Sequence, residues 1–334
     1  MKIQQHIKVP TGSILIVQGS KNFGGSLECL SLADYGKEKN VKADFLGLTK
    51  PINGVPHGEL MPLEKKWVIT ISPQYGCSMK CKFCDVPKVG PGTNASHQDM
   101  LDQMNACISI HPEVKHTDRL NLHFARMGEP TFNPEVLSVA TQMAHEIKNE
   151  RGWGFHPVVS TMMPRKNKRL EAFLYQWMDI KNELEGEAGL QISINTTDEE
   201  IRERDFGGSA LTLKEISAIF HCYSPTLTGR KMALNFALTD APIDGKLLGS
   251  LFSPQKFMCK ITPMHKTNAC VENKLWNGEG YQTYYPYQQA EESLKDAGFD
   301  VIIFVPSLEE DLGRITCGNA ILSGTKPECS YSES

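Results

Sequence analysis

Two hydrophobic patterns alternate along most of this chain, and each predicts a different kind of element. Short apolar runs predict buried strands at residues 67–72, 121–125, 157–161, 190–194, 232–238, 257–263 and 301–305. Between these runs, helical patterns cover residues 94–110, 134–149, 167–184, 212–222 and 286–297. Several strands are apolar on both faces, which is typical of a parallel sheet covered by helices. The pattern therefore predicts an α/β fold in which about six strand–helix units curl into a full or partial TIM-like (β/α)6 barrel.

The first 62 residues follow a different pattern. Residues 13–17 form a short apolar run, residues 27–32 partly alternate apolar and polar positions, and residues 22–25 have turn chemistry. Three prolines and two glycines make residues 50–62 an irregular connector. We therefore predict a small β-rich unit with its connector over residues 1–62, a core over residues 63–322 and a disordered polar tail over residues 323–334.

The composition is that of a soluble globular protein. Of 334 residues, 40% are hydrophobic and 22% are charged, and no stretch approaches the ~20 apolar residues of a membrane span. The N-terminus lacks the apolar core of a signal peptide, and ten cysteines without an export signal indicate reduced thiols. We therefore expect a cytoplasmic protein with no membrane partner. The net charge of −4 gives no support to a nucleic-acid substrate, although it does not exclude one, because the local field decides binding.

Three cysteines at the spacing Cys-x3-Cys-x2-Cys carry the strongest chemical signal. Cys77, Cys81 and Cys84 directly follow the first strand of the predicted barrel. Three thiolates can hold three irons of a [4Fe–4S] cluster and leave the fourth iron open to a small molecule. In radical S-adenosylmethionine (SAM) enzymes the amino and carboxylate groups of SAM bind that iron. Phe83 fits the aromatic residue that such enzymes usually carry before the last cysteine.

Two other interpretations of these cysteines fit the sequence less well. A structural zinc site needs a fourth ligand, usually from a second Cys or His pair at zinc-like spacing. The chain has no second Cys-x2-Cys, and His111 and His116 lie too far past Cys84 for a compact finger. Disulfides would suit a secreted protein, which nothing else in the sequence indicates. The spacing therefore favours the cluster.

Polar residues follow the next strands where each strand ends. Gly128 and Glu129 come after the second strand, and a carboxylate there can accept a charge-assisted hydrogen bond from the SAM ammonium. Ser160 ends the third strand, and Ser193 and Asn195 end the fourth. These short side chains can bind the SAM carboxylate and ribose, or they can merely cap the helices that follow. Because the carboxyl ends of parallel strands meet at one edge, their recurrence favours a ligand site.

Taken together, these motifs resemble the RlmN/Cfr type of radical-SAM RNA methyltransferases. The resemblance runs from about residue 65 to residue 322, and its motifs are Ser72-x-Gln74-x-Gly76-Cys77, Met127-Gly128-Glu129-Pro130, Ser160-Thr161, Ile192-Ser193-Ile194-Asn195, the acidic stretch 198–202 and Cys317-Gly318-Asn319. It implies a radical-SAM partial barrel that methylates an adenosine carbon in ribosomal or transfer RNA. It also implies a [4Fe–4S] cluster, SAM, and a flavodoxin- or ferredoxin-type electron donor. Cys317 would be the catalytic cysteine, which one SAM methylates and whose methyl carbon, after hydrogen abstraction, is added to the base.

The chain departs from this family in three places. The family's second catalytic cysteine, which helps to release the product, aligns with Thr70, so either Cys270 or Cys329 substitutes or the release differs. The family's SAM-binding asparagine after the sixth strand aligns with His265, whose imidazole can still hydrogen-bond adenine or ribose. The family's helical N-terminal domain, which helps to grip RNA, has no counterpart in residues 1–62.

The substrate is therefore the most open question. Basic residues at 165–169 and around the cysteine loop (Lys80, Lys82 and Lys88) suggest a local field for anions, or simply a solvated surface. The first alternative is a radical-SAM enzyme that acts on a free nucleotide, a small metabolite or a peptide. The second alternative is a non-catalytic iron–sulfur or zinc-stabilised binding protein.

Overall fold

The computed structural model describes residues 2–20, 25–34, 60–223, 227–276, 280, 285–306 and 308–328. Twelve strands lie within this part of the chain, and ten of them form one sheet. The strands are β1 (Ile3–Val9), β2 (Gly12–Gln18), β3 (Ser26–Ala33), β4 (Trp67–Ile71), β5 (Gln74–Gly76), β6 (Pro91–Asn94), β7 (Leu120–Phe124), β8 (Phe155–Thr161), β9 (Gly189–Ser193), β10 (Met232–Leu238), β11 (Phe257–Pro263) and β12 (Val301–Ile303).

The larger part of the sheet is parallel. Its order among the described residues is β1-β2-β3-β4-β7-β8-β9-β10-β11-β12, and every pair from β4 to β12 runs in parallel. The apolar runs predicted at 232–238 and 257–263 coincide with β10 and β11. Because the strands are parallel, all their carboxyl ends lie along one edge, which is where the cysteine loop leaves β4.

Helices connect these strands and cover the sheet. They are α1 (His97–Ser109), α2 (Glu135–Ala144), α3 (Leu170–Glu183), α4 (Glu199–Asp205), α5 (Leu213–Cys222), α6 (Gly245–Leu251), α7 (Asn268–Glu272), α8 (Tyr285–Asp296) and α9 (Leu308–Leu312). The helix predicted at 134–149 is α2 followed by a π-helical turn, His145–Glu150. The apolar sides of the predicted helices join the strands in one hydrophobic core around Trp67 and Trp177. No helix in the described ranges is long and apolar enough to cross a bilayer.

The N-terminal strands continue the sheet of the barrel. β1, β2 and β3 form an antiparallel meander, and β3 pairs with β4 through Leu30 and Thr70. Leu15 and Leu27 belong to the same hydrophobic core as Trp67. The β-rich unit predicted over residues 1–62 therefore shares a sheet and a core with residues 63–322. Most of the predicted connector at 50–62 and of the turn at 22–25 lies outside the described residues.

The C-terminal segment is tied to these first strands. Leu322 N donates to Glu28 Oε1 at 2.5 Å, and Arg126 Nη2 pairs with Glu28 Oε2 at 2.8 Å. Glu328 N donates to Leu312 O at 2.8 Å. Within the predicted disordered tail, Glu328 is thus hydrogen-bonded to the fold, whereas residues 329–334 lie outside the described residues.

Candidate active site at the carboxyl ends of the strands

The site residues predicted from the sequence line one cavity of about 340 Å³. The lining includes Cys77, Cys81, Phe83, Cys84, Gly128, Glu129, Ser160, Ser193, Asn195, His265 and Cys317. These residues come from the cysteine loop, from the ends of β7, β8, β9 and β11, and from the segment after α9. The fold therefore brings together side chains that are up to 240 residues apart, from Cys77 to Cys317.

A short hairpin shapes the cysteine loop. β5 pairs with β6, and the three cysteines lie between these strands. Gly92 has a φ of +84°, and a Cβ at this position would lie 2.3 Å from Ser78 N. Gly76 has a φ of +73°, and a Cβ there would lie 2.3 Å from Gly90 O. Both positions require glycine because an L side chain would be strained and would have no room.

The three thiols are buried together. Burial raises the pKa of Cys77 to about 12 and also raises the pKa values of Cys81 and Cys84. The negative charges of the neighbouring thiolates add to the raised pKa values of Cys81 and Cys84. Met79 N donates to Cys77 Sγ at 3.4 Å, a contact that favours the thiolate. At neutral pH the free thiols are protonated, so binding of iron would have to displace their protons.

The chemistry of this set fits a [4Fe–4S] cluster. Soft thiolates are the ligands that iron–sulfur clusters prefer, and the cavity leaves room beside them. Within the described ranges, no three His, Cys, Asp or Glu side chains converge closely enough to hold a single metal ion. Phe83, next to Cys84, packs edge-to-face on Phe206 with 5.4 Å between the ring centroids.

Glu129 is a buried carboxylate with a fixed orientation. Its side chain is 1% exposed, and burial raises its pKa. Thr131 N, Thr131 Oγ1 and Thr161 Oγ1 donate to Oε1 at 3.1, 2.7 and 2.8 Å, and Met162 N donates to Oε2 at 2.8 Å. Gln74 Oε1 accepts from the backbone N–H of Glu129 at 3.0 Å. These bonds hold the carboxylate on the cavity wall, where it can accept a hydrogen bond from an ammonium group.

The polar strand ends do not serve as helix caps. The N-cap of α3 is Arg169 and that of α4 is Asp198, so Ser160, Ser193 and Asn195 do not occupy these positions. Asn195 has a φ of +63°, and its Oδ1 accepts from Ala237 N at 3.2 Å. The capping alternative is therefore wrong for these residues, and their place in the cavity stands as the structural finding.

Cys317 is exposed at the same cavity, on a loop that two buried aspartates hold. Asp85 N donates to Gly318 O at 2.8 Å, and the Asp85 carboxylate accepts from the first two N–H groups of α7 at 2.9 and 2.8 Å. Asp311 accepts from Lys266 N at 2.9 Å and from the hydroxyl of Thr316, the residue before Cys317.

Asp311 also links this loop to His265. Its Oδ1 lies 3.2 Å from His265 Nδ1. The sequence analysis missed both Asp85 and Asp311. The hydrogen-bond partners of Asp85 and Asp311 are distant in the chain, so the sequence offered one local signal for these aspartates, the position of Asp85 next to Cys84.

Neither Thr70 nor Cys270 places a second catalytic thiol on the cavity wall. Thr70 lies on β4 and pairs with Leu30 and His123. Cys270 is fully buried in α7 and does not line the cavity, and Cys329 lies outside the described residues. Within the described ranges, the thiols that line the cavity are the three cysteines of the loop and Cys317.

Two of the basic residues expected to attract anions are already paired. Arg165 makes a bidentate contact with Glu203 at 3.0 and 2.9 Å. Lys88 Nζ contacts both carboxylate oxygens of Glu272 at 3.0 and 2.9 Å. These pairs weaken the prediction that residues 165–169 and the loop lysines form a strong anion-attracting field.

Known proteins resemble this chain in sequence. No protein-family model matches it. It is 34% identical over 167 residues to a probable dual-specificity RNA methyltransferase RlmN of Phocaeicola vulgatus, a match that covers 49% of this chain and 42% of that protein. It is 26% identical over 257 residues to the probable RlmN of Flavobacterium johnsoniae, covering 75% and 64% of the two chains. The probable RlmN of Chlorobium phaeobacteroides is 26% identical over 212 residues, covering 60% and 54%.

The fold has a counterpart among solved structures. A radical SAM methyltransferase from Sphaerobacter thermophilus superimposes with a TM-score of 0.62 at 16% identity, covering 95% of this chain and 80% of that one. This likeness confirms the predicted α/β fold with its large, mostly parallel sheet. The sequence matches confirm the predicted resemblance to RNA methyltransferases of the RlmN type, and the chain spans about half the length of the first of these relatives.

Proposed function

We propose that this protein is a radical-SAM enzyme that methylates an adenosine carbon in RNA through a methylated cysteine. The observation that carries the proposal is the single cavity that holds Cys77, Cys81, Cys84, Glu129 and Cys317. Three thiols for a cluster, a carboxylate for the SAM ammonium and a separate exposed thiol are the parts that this chemistry requires. The names of the relatives support RNA as the substrate.

The three loop cysteines would hold the cluster as thiolates. When bound, the cluster supplies the electron that splits SAM into methionine and a 5′-deoxyadenosyl radical. Glu129 would bind the SAM ammonium and so orient SAM in the cavity. Ser160, Ser193, Asn195 and His265 would bind the carboxylate, ribose and adenine of SAM through hydrogen bonds. A flavodoxin- or ferredoxin-type protein would deliver the electron.

Cys317 would carry the methyl group. Its exposure on the cavity wall allows its thiolate to attack the methyl of one SAM, with S-adenosylhomocysteine as the leaving group. The radical formed from a second SAM would take a hydrogen atom from the S-methyl group, and the resulting carbon radical would add to the base. The adduct would lose one electron, returned to the oxidised cluster, and one proton. Attack of a small-molecule thiolate on Cys317 Sγ would then break the carbon–sulfur bond, the released carbon would take up a proton, and a mixed disulfide would remain at Cys317. Asp85 and Asp311 keep this loop in place during both steps through their contacts to Gly318 and Thr316.

Mass spectrometry of the purified protein and of RNA tests this proposal. Protein from cells fed methyl-deuterated methionine should carry a deuterated methyl group on the peptide that contains Cys317. RNA from cells that lack the gene should then lose one methyladenosine, and Cys317→Ala should fail to restore it. An unmethylated Cys317 with normal product formation would exclude the methyl-carrier step.

A small-molecule substrate remains the second candidate, favoured by Thr70 and by the lack of a further thiol on the cavity wall within the described residues. A methylated or otherwise altered metabolite that depends on the gene, with RNA unchanged, would select it. In that outcome the cluster and SAM assignments stand and only the substrate changes.

A further inference from the structure

Arg202 is a buried cation behind the cysteine loop. Its side chain belongs to α4 and is 2% exposed. Burial lowers its pKa to about 10, so the guanidinium remains charged at neutral pH. Burying a charge is unfavourable unless an opposite charge or a full set of hydrogen bonds compensates it. The contacts of Arg202 therefore need an explanation.

Its hydrogen bonds go to backbone carbonyl oxygens. Nη1 donates to Ser193 O at 2.9 Å and to Ile194 O at 2.6 Å, and Nε donates to Leu211 O at 3.1 Å. The Nη2 atom is buried and has no hydrogen-bond partner within the described part of the chain. Glu199, the strongest of the nearby anionic influences, is exposed and accepts instead from Leu213 N at 2.7 Å. The charge of Arg202 is thus compensated only in part by these groups.

Phe206 links Arg202 to the cysteine loop, because it contacts both Arg202 and Phe83 of that loop. The Arg202 guanidinium stacks over the Phe206 ring at 4.5 Å, and Phe206 packs against Phe83 at 5.4 Å. Phe206 also shares a buried apolar cluster with Cys81 and Met79. A cluster of iron and sulfide held by three thiolates would be an anionic group near this guanidinium, and it would compensate the remaining positive charge.

We propose that Arg202 is the buried counter-charge of the thiolate cluster and that it raises the reduction potential of that cluster. The inference rests on the proposed function, because it needs a cluster on Cys77, Cys81 and Cys84. The reduced cluster carries one more negative charge than the oxidised one, so a fixed cation nearby stabilises the reduced state. The low-dielectric surroundings strengthen this effect, and the loss of the cation therefore makes reduction harder.

Arg202 also positions the end of β9. Its bonds to the carbonyl groups of Ser193 and Ile194 hold the strand end that carries the proposed SAM contacts. One side chain thus joins the electron-transfer group to the SAM-binding edge. A test must separate the charge from these hydrogen bonds.

An anaerobic redox titration followed by electron paramagnetic resonance makes that separation. The wild type, Arg202→Met, Arg202→Gln and Arg202→Lys are reconstituted with iron and sulfide and titrated with dithionite. Both neutral variants should show a lower midpoint potential, and Arg202→Lys, which keeps the charge, should stay near the wild type. Arg169→Met is the control, because it removes the same charge from an exposed side chain at the start of α3. Its potential should not change.

The outcomes separate this inference from the proposed function. A wild-type protein that takes up no cluster would overturn both. A wild-type cluster whose potential is the same in the neutral variants would overturn only the role of Arg202. If Arg202→Met fails to fold, as judged by circular dichroism, Arg202→Gln gives the reading because it retains a hydrogen-bond donor. An equal fall in Arg202→Lys would also overturn the inference, since shape rather than charge would then be responsible.

Discussion

Replacing Glu129 by glutamine is expected to weaken SAM binding by about ten- to a hundred-fold. The substitution keeps the size of the side chain and removes its negative charge. If the amide oxygen takes the place of Oε1, the bonds from Thr131 and Thr161 remain. The amide nitrogen then faces Met162 N, which donates to Oε2 in the wild type at 2.8 Å, so one hydrogen bond is lost as well.

The magnitude follows from the bond that the carboxylate would make to SAM. A hydrogen bond to a charged group contributes about 1.5–3 kcal/mol, and each ~1.4 kcal/mol is tenfold in affinity. Calorimetric titration of the cluster-loaded protein with SAM measures the effect. Glu135→Gln is the control, because Glu135 lies six positions further on and its side chain is 50% exposed. Unchanged SAM affinity in Glu129→Gln, or an equal loss in Glu135→Gln, would refute the assignment of Glu129 to the ammonium.

The pH dependence of the same titration gives a second reading. Burial raises the pKa of Glu129, so its charge is lost at a higher pH than that of an exposed carboxylate. A raised pKa means that the fold disfavours the ionised form, so Glu129 takes up its proton at a higher pH than an exposed carboxylate does. SAM affinity should therefore decrease as the pH falls through this raised pKa, and Glu129→Gln should abolish that part of the dependence.

Three further substitutions probe the rest of the cavity. Cys81→Ala should abolish cluster incorporation, measured as iron and sulfide per chain, and a variant that retains a full cluster would contradict the ligand assignment. Asp311→Asn should change the alkylation rate of Cys317, measured by peptide mass spectrometry, whereas the rate at Cys222, the other exposed thiol among the described residues, should not change. An identical Cys317 rate would show that Asp311 does not control the loop. Cys270→Ser should leave turnover intact because Cys270 is buried away from the cavity, and a stalled protein–substrate adduct would instead identify it as the second catalytic thiol.

The sequence predicted those elements whose residues are buried over a long enough stretch. β10 and β11 coincide with their apolar runs, and the long amphipathic helices α1, α3 and α8 lie within a few residues of their patterns. α4, α6, α7 and α9 have only five to seven residues, too few to show a helical period. β1 was missed because it reads Ile-Gln-Gln-His-Ile-Lys-Val and lies at the edge of the sheet, where few of its side chains are buried.

The candidate site was predictable to the extent that it follows from topology. Parallel strands end at one edge, so the sequence alone predicts that Glu129, Ser160 and Ser193 lie together. The contacts that hold Cys317 could not be predicted, because they join residues far apart in the chain. Asp85 and Asn268, for example, are 183 positions apart and meet only through the hydrogen bond at 2.9 Å. The role of Arg202 was hidden for the same reason, since only its burial beside Phe206 shows that its charge lacks a full partner.

Anaerobic cleavage of SAM tests most directly whether this cavity is a radical-SAM active site. The cluster-loaded wild type is reduced with dithionite in the presence of SAM, and 5′-deoxyadenosine is quantified by liquid chromatography and mass spectrometry. We expect the wild type and Cys317→Ala to form 5′-deoxyadenosine and Cys81→Ala to form none, because Cys81 would hold iron whereas Cys317 would act only on the methyl group. A wild type that carries a reducible cluster and SAM yet forms no 5′-deoxyadenosine, or a Cys81→Ala protein that forms it at the wild-type rate, would contradict the assignment.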